Sequence, residues 1–417
     1  MKKARVGILS LGCPRNLVDS ETVTGRLASK GFSIVDINDA DVAIVNTCAF
    51  INDAKSESID AILELIEAKK KGRIRKIIVY GCFAQRYKDI LPRQLPEVDA
   101  FVGRLDLDPG VQRYSLTPSH FAYLKICEGC VNRCSFCIIP SIKGRFRSLS
   151  PGEIERKAWQ FDRQKISELN IIGQDITAYG RDLGTRTDLA ALLKKILKAA
   201  PDIGWFRLLY LYPSRVSDAL LRLIRDEERI CKYIDVPVQH TSDRILKLMN
   251  RTTTRKDITG LIERIRRIVP GVAIRTALIT GFPTETDKDF KEMVSFIKDT
   301  GFERLGVFMY SREEQTAAYD LAGQIPEKVK QARFDTLMAV QQEVSRDINS
   351  RYMGKVIDVL IDNKEGNGMY LGRSQHDAPD VDGTVFVRSK KALRHGEFVK
   401  VSVCDTMEYD LVGELAG

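Results

Sequence analysis

Three cysteines, Cys13, Cys48 and Cys82, stand 35 and 34 residues apart, and each closes an apolar run of strand length: GILSLGC, AIVNTC and IIVYGC. Between them, SETVTGRLASKG and AKSESIDAILELIEAKKKG carry helical apolar spacing and end in glycine, as helix C-termini often do. Strands alternating with helices imply a parallel sheet. In such a sheet the C-terminal strand ends line up along one edge, where open α/β folds bind ligands. Three thiols remote in sequence are therefore expected to converge. Three thiols can hold three irons of a four-iron cluster and leave the fourth open. Chance burial of three cysteines would not give them equal spacing and equivalent strand positions.

A second set is dense. The stretch CEGCVNRCSFCIIP, residues 127–140, places Cys127, Cys130, Cys134 and Cys137 within eleven residues. Zinc modules usually pair two CxxC hooks across a gap of about fifteen residues, and here three residues separate Cys130 from Cys134. The bacterial ferredoxin run has a different order of spacings. Without Cys127, the remaining Cys130-x3-Cys134-x2-Cys137 follows a predicted strand and suits a second cluster with an open iron. Zinc and buried structural thiols stay open as alternatives. Cys127 ends the FAYLKI strand, where a small buried residue packs well; as a fourth ligand it would close the cluster. Cys231 and Cys404 are expected to be structural, and His240, in VPVQH, to be hydrogen-bonded rather than a ligand.

The rest of the chain organises around these sets. Its 417 residues suggest about three domains. We expect an α/β fold class: an N-terminal parallel α/β domain over 1–104, a linker over 105–119, and a partial (βα)6 barrel over 120–350. A small antiparallel β-barrel over 351–417 completes it. The six barrel strands are FAYLKI, ELNIIG, WFRLLYLY, YIDVPV, VAIRTALI and ERLGVF, and Ser150-Pro151-Gly152-Glu153 is a capping box opening one intervening helix. A long helix is predicted from Pro326 to about Tyr352. The net charge is +9, yet Arg351 to Gly417 holds 9 Lys and Arg against 11 Asp and Glu. A basic body suits an anionic partner. An acidic tail suits a basic protein better than an RNA backbone, with Asp377, Asp380 and Asp382 as its expected contacts. No apolar run approaches a membrane span. The basic N-terminus is too short in its apolar part for an export signal. Nine cysteines without such a signal point to the cytosol and to metal ligation rather than disulfides.

On these residues the chain resembles the methylthiotransferase family of radical S-adenosylmethionine enzymes. Cys130-x3-Cys134-x2-Cys137 is similar to the superfamily signature, and Cys13, Cys48 and Cys82 match the ligands of the family's second cluster. SLGCPRN, NTCAFINDAKSES, CSFCIIPSIKG, DVPVQHTSDRILKLM, YSREEQTAA and APDVDGTVFV look like the branch that modifies a ribosomal protein. The tRNA branch more often has a YGCQMN-like stretch at the first cysteine. Cys127 and the sequence FPTET depart from the family pattern. The resemblance implies two 4Fe-4S clusters, S-adenosylmethionine, an outside electron donor and a C-terminal barrel of TRAM type. It implies methylthio transfer to the β-carbon of an aspartate in the small-subunit ribosomal protein numbered twelve, with no membrane and no required nucleic-acid contact. No side chain is assigned as catalytic. The resemblance also suggests cofactor contacts from Gln174 and Asp175, after the ELNIIG strand, and from Gly281, with Arg207 as either a carboxylate partner or a structural ion pair. A tRNA adenosine substrate and a non-catalytic iron–sulfur or zinc module remain the alternatives.

Overall fold

The computed structural model describes residues 4–104, 113–184 and 187–416. The expected 105–119 linker therefore lies in part, at 105–112, outside the described residues.

The N-terminal domain is a five-stranded parallel sheet. Its order is Ser33–Ile34, Arg5–Ser10, Val42–Thr47, Lys76–Gly81, Ala100–Val102. The chain starts in one direction from Arg5–Ser10 and then reverses, which makes the junction with Val42–Thr47 a topological switch point. Register aligns Ile8, Ile44 and Ile78 across the sheet, so the three strands end level. Helices Pro14–Ser29 and Asn52–Lys70 cross back, and Gly31 and Gly72 follow them at φ 85° and 74°, the left-handed position that favours glycine.

Six parallel strands follow: Phe121–Lys125, Glu168–Ile172 and Trp205–Leu208 in one sheet, Tyr233–Asp235, Ala273–Thr280 and Arg304–Met309 in another. A parallel bridge from Phe206 to Ile230 joins the two halves. The first and last strands do not pair, so the barrel is partial, as expected. One large apolar core fills the space between strands and surrounding helices. The predicted capping box forms, with Ser150 and Glu153 exchanging hydrogen bonds, and the long helix runs Glu327–Ser350.

The C-terminal strands close a five-stranded barrel in the order Val356–Gly366, Met369–Ser374, Val385–Arg388, Leu411–Leu415, Phe398–Thr406. The fifth strand, Leu411–Leu415, was not expected. It pairs parallel to Val385–Arg388, so closure is not purely antiparallel.

This small barrel sits under the N-terminal ends of the large barrel's strands. Arg304 Nε donates to Asp377 at 2.8 Å, and Asp382 takes Tyr233 Oη at 2.6 Å and Arg275 Nε at 3.3 Å. Phe398 packs edge-on to Trp205 with centroids 4.9 Å apart. Asp377 and Asp382 are thus buried clamps rather than the protein-recruiting surface expected of them, because they face a ring of barrel arginines. Asp380 is exposed in a turn at φ 66°.

Candidate functional site

The first triad forms at the C-terminal edge of the N-terminal sheet. Cys13 caps the Pro14–Ser29 helix, Cys48 follows Val42–Thr47, and Cys82 opens the helix Cys82–Arg86. A buried polar web fixes the level of these three ends. Asn16 Nδ2 donates to the carbonyls of Leu11 and Thr47 at 3.2 and 3.1 Å, Asn46 Nδ2 donates to Asn16 O at 2.7 Å, and Cys82 Sγ donates to Asn16 Oδ1 at 3.6 Å. Ser58 Oγ ties down both the N–H and the carbonyl of Cys48 at 3.0 and 2.9 Å. Gly12 stands at φ 81°, and a Cβ there would come within 2.6 Å of Cys48 Cβ and 2.9 Å of its Sγ. The close approach of the two cysteine-bearing loops needs glycine for both reasons.

The second triad lies on the loop after the first barrel strand, at the C-terminal end of the barrel. Asn132 braces it: its backbone N–H and Nδ2 each donate to Cys130 Sγ at 3.4 Å, and Nδ2 also reaches Asp175 Oδ2 at 2.9 Å. Arg215 donates to Asn132 Oδ1 at 2.7 Å and pairs with Asp175. Arg215 and Arg251 each stack on the Tyr212 ring, both 4.2 Å from its centroid, and Arg251 Nη1 lies 3.8 Å from Cys134 Sγ.

Two contacts bring the triads to one mouth. Ile138 and Ile142, just past Cys137, are buried in the core of the N-terminal domain, which accounts for the apolar IIPSI after the last cysteine. On another side, Glu313 of YSREE is 1% exposed and takes Arg86 at 2.5 Å and Lys55 at 3.0 Å, both from the N-terminal domain. Arg15 lies between the triads. Its Nε donates to Cys13 Sγ at 3.4 Å, its Nη1 donates to Gly173 O at a barrel strand end at 3.2 Å, and its guanidinium stacks 4.4 Å over Tyr210. Sequence reasoning passed over Arg15, Asn16 and Asn132. Their closeness in sequence to the triad cysteines was the only available signal.

Burial sets the thiol chemistry. It pushes Cys82 and Cys137 up to about 12 and raises Cys48 and Cys130. At Cys13 burial acts the same way, but Arg15, the Asn16 N–H and Lys143 outweigh it and hold the thiol below its ordinary value. Charge on Cys13 adds to the rise at Cys48 and Cys82, and charge on Cys134 and Cys130 adds to that at Cys137. Among the described residues no three His, Cys, Asp or Glu groups are gathered to single-ion spacing. A four-iron cluster asks instead for thiols around a hollow, one to each iron. All six thiols are free, and a glycine makes room beside Cys48.

The remaining expected site residues are scattered. Gln174 donates Nε2 to Glu128 at 2.9 Å, while its Oε1 is buried without a partner, and so can accept from a ligand. Asp175 is committed to Asn132, Arg215 and Thr177; it holds the loop that carries Cys130. Arg207 is fully buried at the opposite end of the barrel, giving Nε to Glu168 at 2.7 Å and Nη1 to Gln375 O at 2.6 Å. It is a structural ion pair and cannot reach a carboxylate at the mouth. Gly281, at φ 73°, makes room for the Lys330 side chain and donates its N–H to Glu285 at 2.9 Å. Cys127 is 1% exposed in the barrel core, with Sγ 3.7 Å from Asp175 O. Buried Cys231 fits the structural expectation, while Cys404 is exposed. His240 is fully buried. Its Nδ1 accepts the Ser242 N–H at 3.0 Å, which places the proton on Nε2, 3.2 Å from Glu285.

Comparison with known proteins adds to this geometry. Residues 124–297 match the radical SAM superfamily, 5–103 the uncharacterized protein family UPF0004, and 353–416 the TRAM domain. Proteins called ribosomal protein uS12 methylthiotransferase RimO are similar along almost the whole chain. That of Geotalea uraniireducens is 43% identical over 99% of this chain and 98% of its own length. That of Clostridioides difficile is 42% identical over 99% and 98%, and that of Caldanaerobacter subterraneus subsp. tengcongensis 45% over 98% and 99%. The solved radical S-adenosylmethionine methyltransferase TsrM of Kitasatospora setae, with cobalamin and a 4Fe-4S cluster bound, has a TM-score of 0.56 at 13% identity. It covers 91% of this chain and 82% of its own and shares the fold.

Proposed function

The chain belongs to the ribosomal protein uS12 methylthiotransferase family, and we propose that its two triads act together to place a methylthio group on the β-carbon of a uS12 aspartate. It is a radical S-adenosylmethionine enzyme, a class that carries a 4Fe-4S cluster and S-adenosylmethionine. In our reading Cys130, Cys134 and Cys137 hold that cluster, and Cys13, Cys48 and Cys82 hold a second. When bound, these groups supply one-electron chemistry and a seat for sulfur, which a carbon without an acidic proton requires.

The chain's own residues hold and orient. Asn132, Asp175 and Arg215 fix the barrel loop, Gln174 offers its open Oε1 to the cofactor, and Ile138, Ile142 and Glu313 lock the sulfur-bearing domain over the barrel mouth. Closing the two domains over the mouth excludes water from a reactive centre. The observation that carries the proposal is this convergence of two thiol triads, from two domains, on one mouth. The family matches at 5–103, 124–297 and 353–416 support the domain division into 1–104, 120–350 and 351–417. An external donor provides the reducing electron. No helix among the described residues is long and apolar enough to cross a membrane, and a ribosomal substrate suits the cytoplasm.

Mass spectrometry of ribosomal proteins from cells with and without the chain tests the proposal. We expect a methylthio increment on one uS12 aspartate only where the chain is present. An increment on tRNA adenosine with none on uS12 would transfer the activity to the other branch. No increment on either, with iron bound, would leave a non-catalytic module.

A further inference from the structure

A uS12 aspartate brings a charge problem with it. The reacting β-carbon is bonded directly to the carboxylate carbon, so the carboxylate must enter the mouth with it. Taking a carboxylate out of water without a partner is strongly unfavourable. The mouth therefore has to hold a cation with capacity to spare.

The candidates can be sorted by what they already bind. Arg215 is paired with Asp175, and Lys143 with Asp19 at 3.2 Å and Glu128 at 3.4 Å. Arg251 has no carboxylate partner among the described residues. It gives Nη2 to Pro237 O at 2.8 Å and touches only the barrel triad, through Cys134. Arg15 differs from Arg215 and Lys143 in its lack of a carboxylate partner, and from Arg251 in touching the N-terminal triad. It has no ion pair with any described carboxylate, and its Nε and Nη1 go to a thiol and a carbonyl while Nη2 has no described partner. Its charge acts on Cys13 and Cys48 of one triad and on Cys137 of the other. It is only partly buried, so the mouth can reach it. Tyr210, on which it stacks, is held at φ 69° by its own N–H to Asp235 Oδ2 at 2.8 Å. Strained backbone of that kind persists where surrounding structure fixes it, often at functional sites.

We infer that Arg15 receives the carboxylate of the substrate aspartate. The inference rests on the proposed uS12 activity. One edge of the guanidinium holds the sulfur-bearing triad and the barrel strand end; the free Nη2 donates to the incoming carboxylate. This places the adjacent β-carbon between the two triads, and it makes Arg15 the group that distinguishes aspartate from a neutral side chain.

The test uses the full chain, reconstituted anaerobically to equal iron content, and two forms of uS12: the native protein, and one with asparagine at the modified position. Dissociation constants are measured for wild type, Arg15→Met and Arg15→Lys. The wild type should prefer the aspartate form about 10- to 100-fold, as expected for a hydrogen bond to a charged group. Arg15→Met should bring the ratio close to one, and Arg15→Lys should keep most of it. A ratio unchanged in Arg15→Met would overturn the inference alone. So would an unchanged ratio with weakened S-adenosylmethionine binding, which would assign Arg15 to the cofactor's carboxylate. Wild type that binds neither form would remove the uS12 reading and the inference with it.

Discussion

Replacing Gly12 by alanine should damage one triad and leave the other intact. The new Cβ would lie 2.6 Å from Cys48 Cβ, where ordinary contacts begin at 3.4 Å, so the two loops must separate by about 1 Å. Ligand distances tolerate about 0.2 Å. The φ of 81° adds a left-handed penalty of about 1–2 kcal/mol for a residue with a side chain. Partial relief of the clash costs about another 1–3 kcal/mol. We expect Gly12→Ala to lower stability by about 2–5 kcal/mol. Anaerobic reconstitution should then yield about four irons per chain in place of about eight, taking two four-iron clusters. Cleavage of S-adenosylmethionine should persist, because the barrel triad is untouched, while methylthio transfer is lost. Gly152→Ala, where a Cβ would meet nothing within 4 Å, is the control. Full iron and full transfer in Gly12→Ala would refute the geometric argument.

Three further outcomes follow from other parts of the molecule. Arg304→Ala leaves Asp377 buried without its partner and should cost about 3–5 kcal/mol in urea unfolding; adding Asp377→Ala should restore much of it, and simple additivity would contradict the clamp. Burial, with Arg304 and Arg207 nearby and Asp377 opposing them, pushes His376 down to about 4. The ring stays neutral in the fold while the unfolded chain protonates near 6.5. Stability should therefore fall between pH 6.5 and 4, by at most about 3 kcal/mol, with His376→Gln flattening the slope; an equal slope in the variant would sink the assignment. Cys127→Ala should keep full iron and lose only about 1 kcal/mol by thermal melting, whereas a ligand role would show as lost iron or tighter S-adenosylmethionine binding.

Much of this arrangement was readable in the sequence because it depends on periodicity and strand ends. Cys13, Cys48 and Cys82 each follow an apolar run, and a parallel sheet brings such ends together regardless of separation. What failed was depth along a strand. WFRLLYLY reads as one long strand, but pairing stops at Leu208, which leaves Arg207 level with the lower barrel and its partner Glu168. Gly281 has the left-handed backbone expected of it, yet the neighbour needing its space is Lys330, 49 positions on in a separate helix. Asp377 and Asp382 look like solvated turn acids until the small barrel is docked under a ring of arginines. Contacts between domains leave no local period, so Glu313, the clamp and the reach of Arg15 to the second domain could be found only in three dimensions.

The central claim is that each triad holds its own cluster and performs its own part of the reaction. Iron and S-adenosylmethionine cleavage, measured together on two triple variants, test it most directly. Cys130, Cys134 and Cys137 changed to alanine should leave about four irons and no cleavage; Cys13, Cys48 and Cys82 changed to alanine should leave about four irons with cleavage retained and methylthio transfer gone. Full iron in either triple variant, or cleavage lost in the second while the barrel cluster remains, would contradict the account.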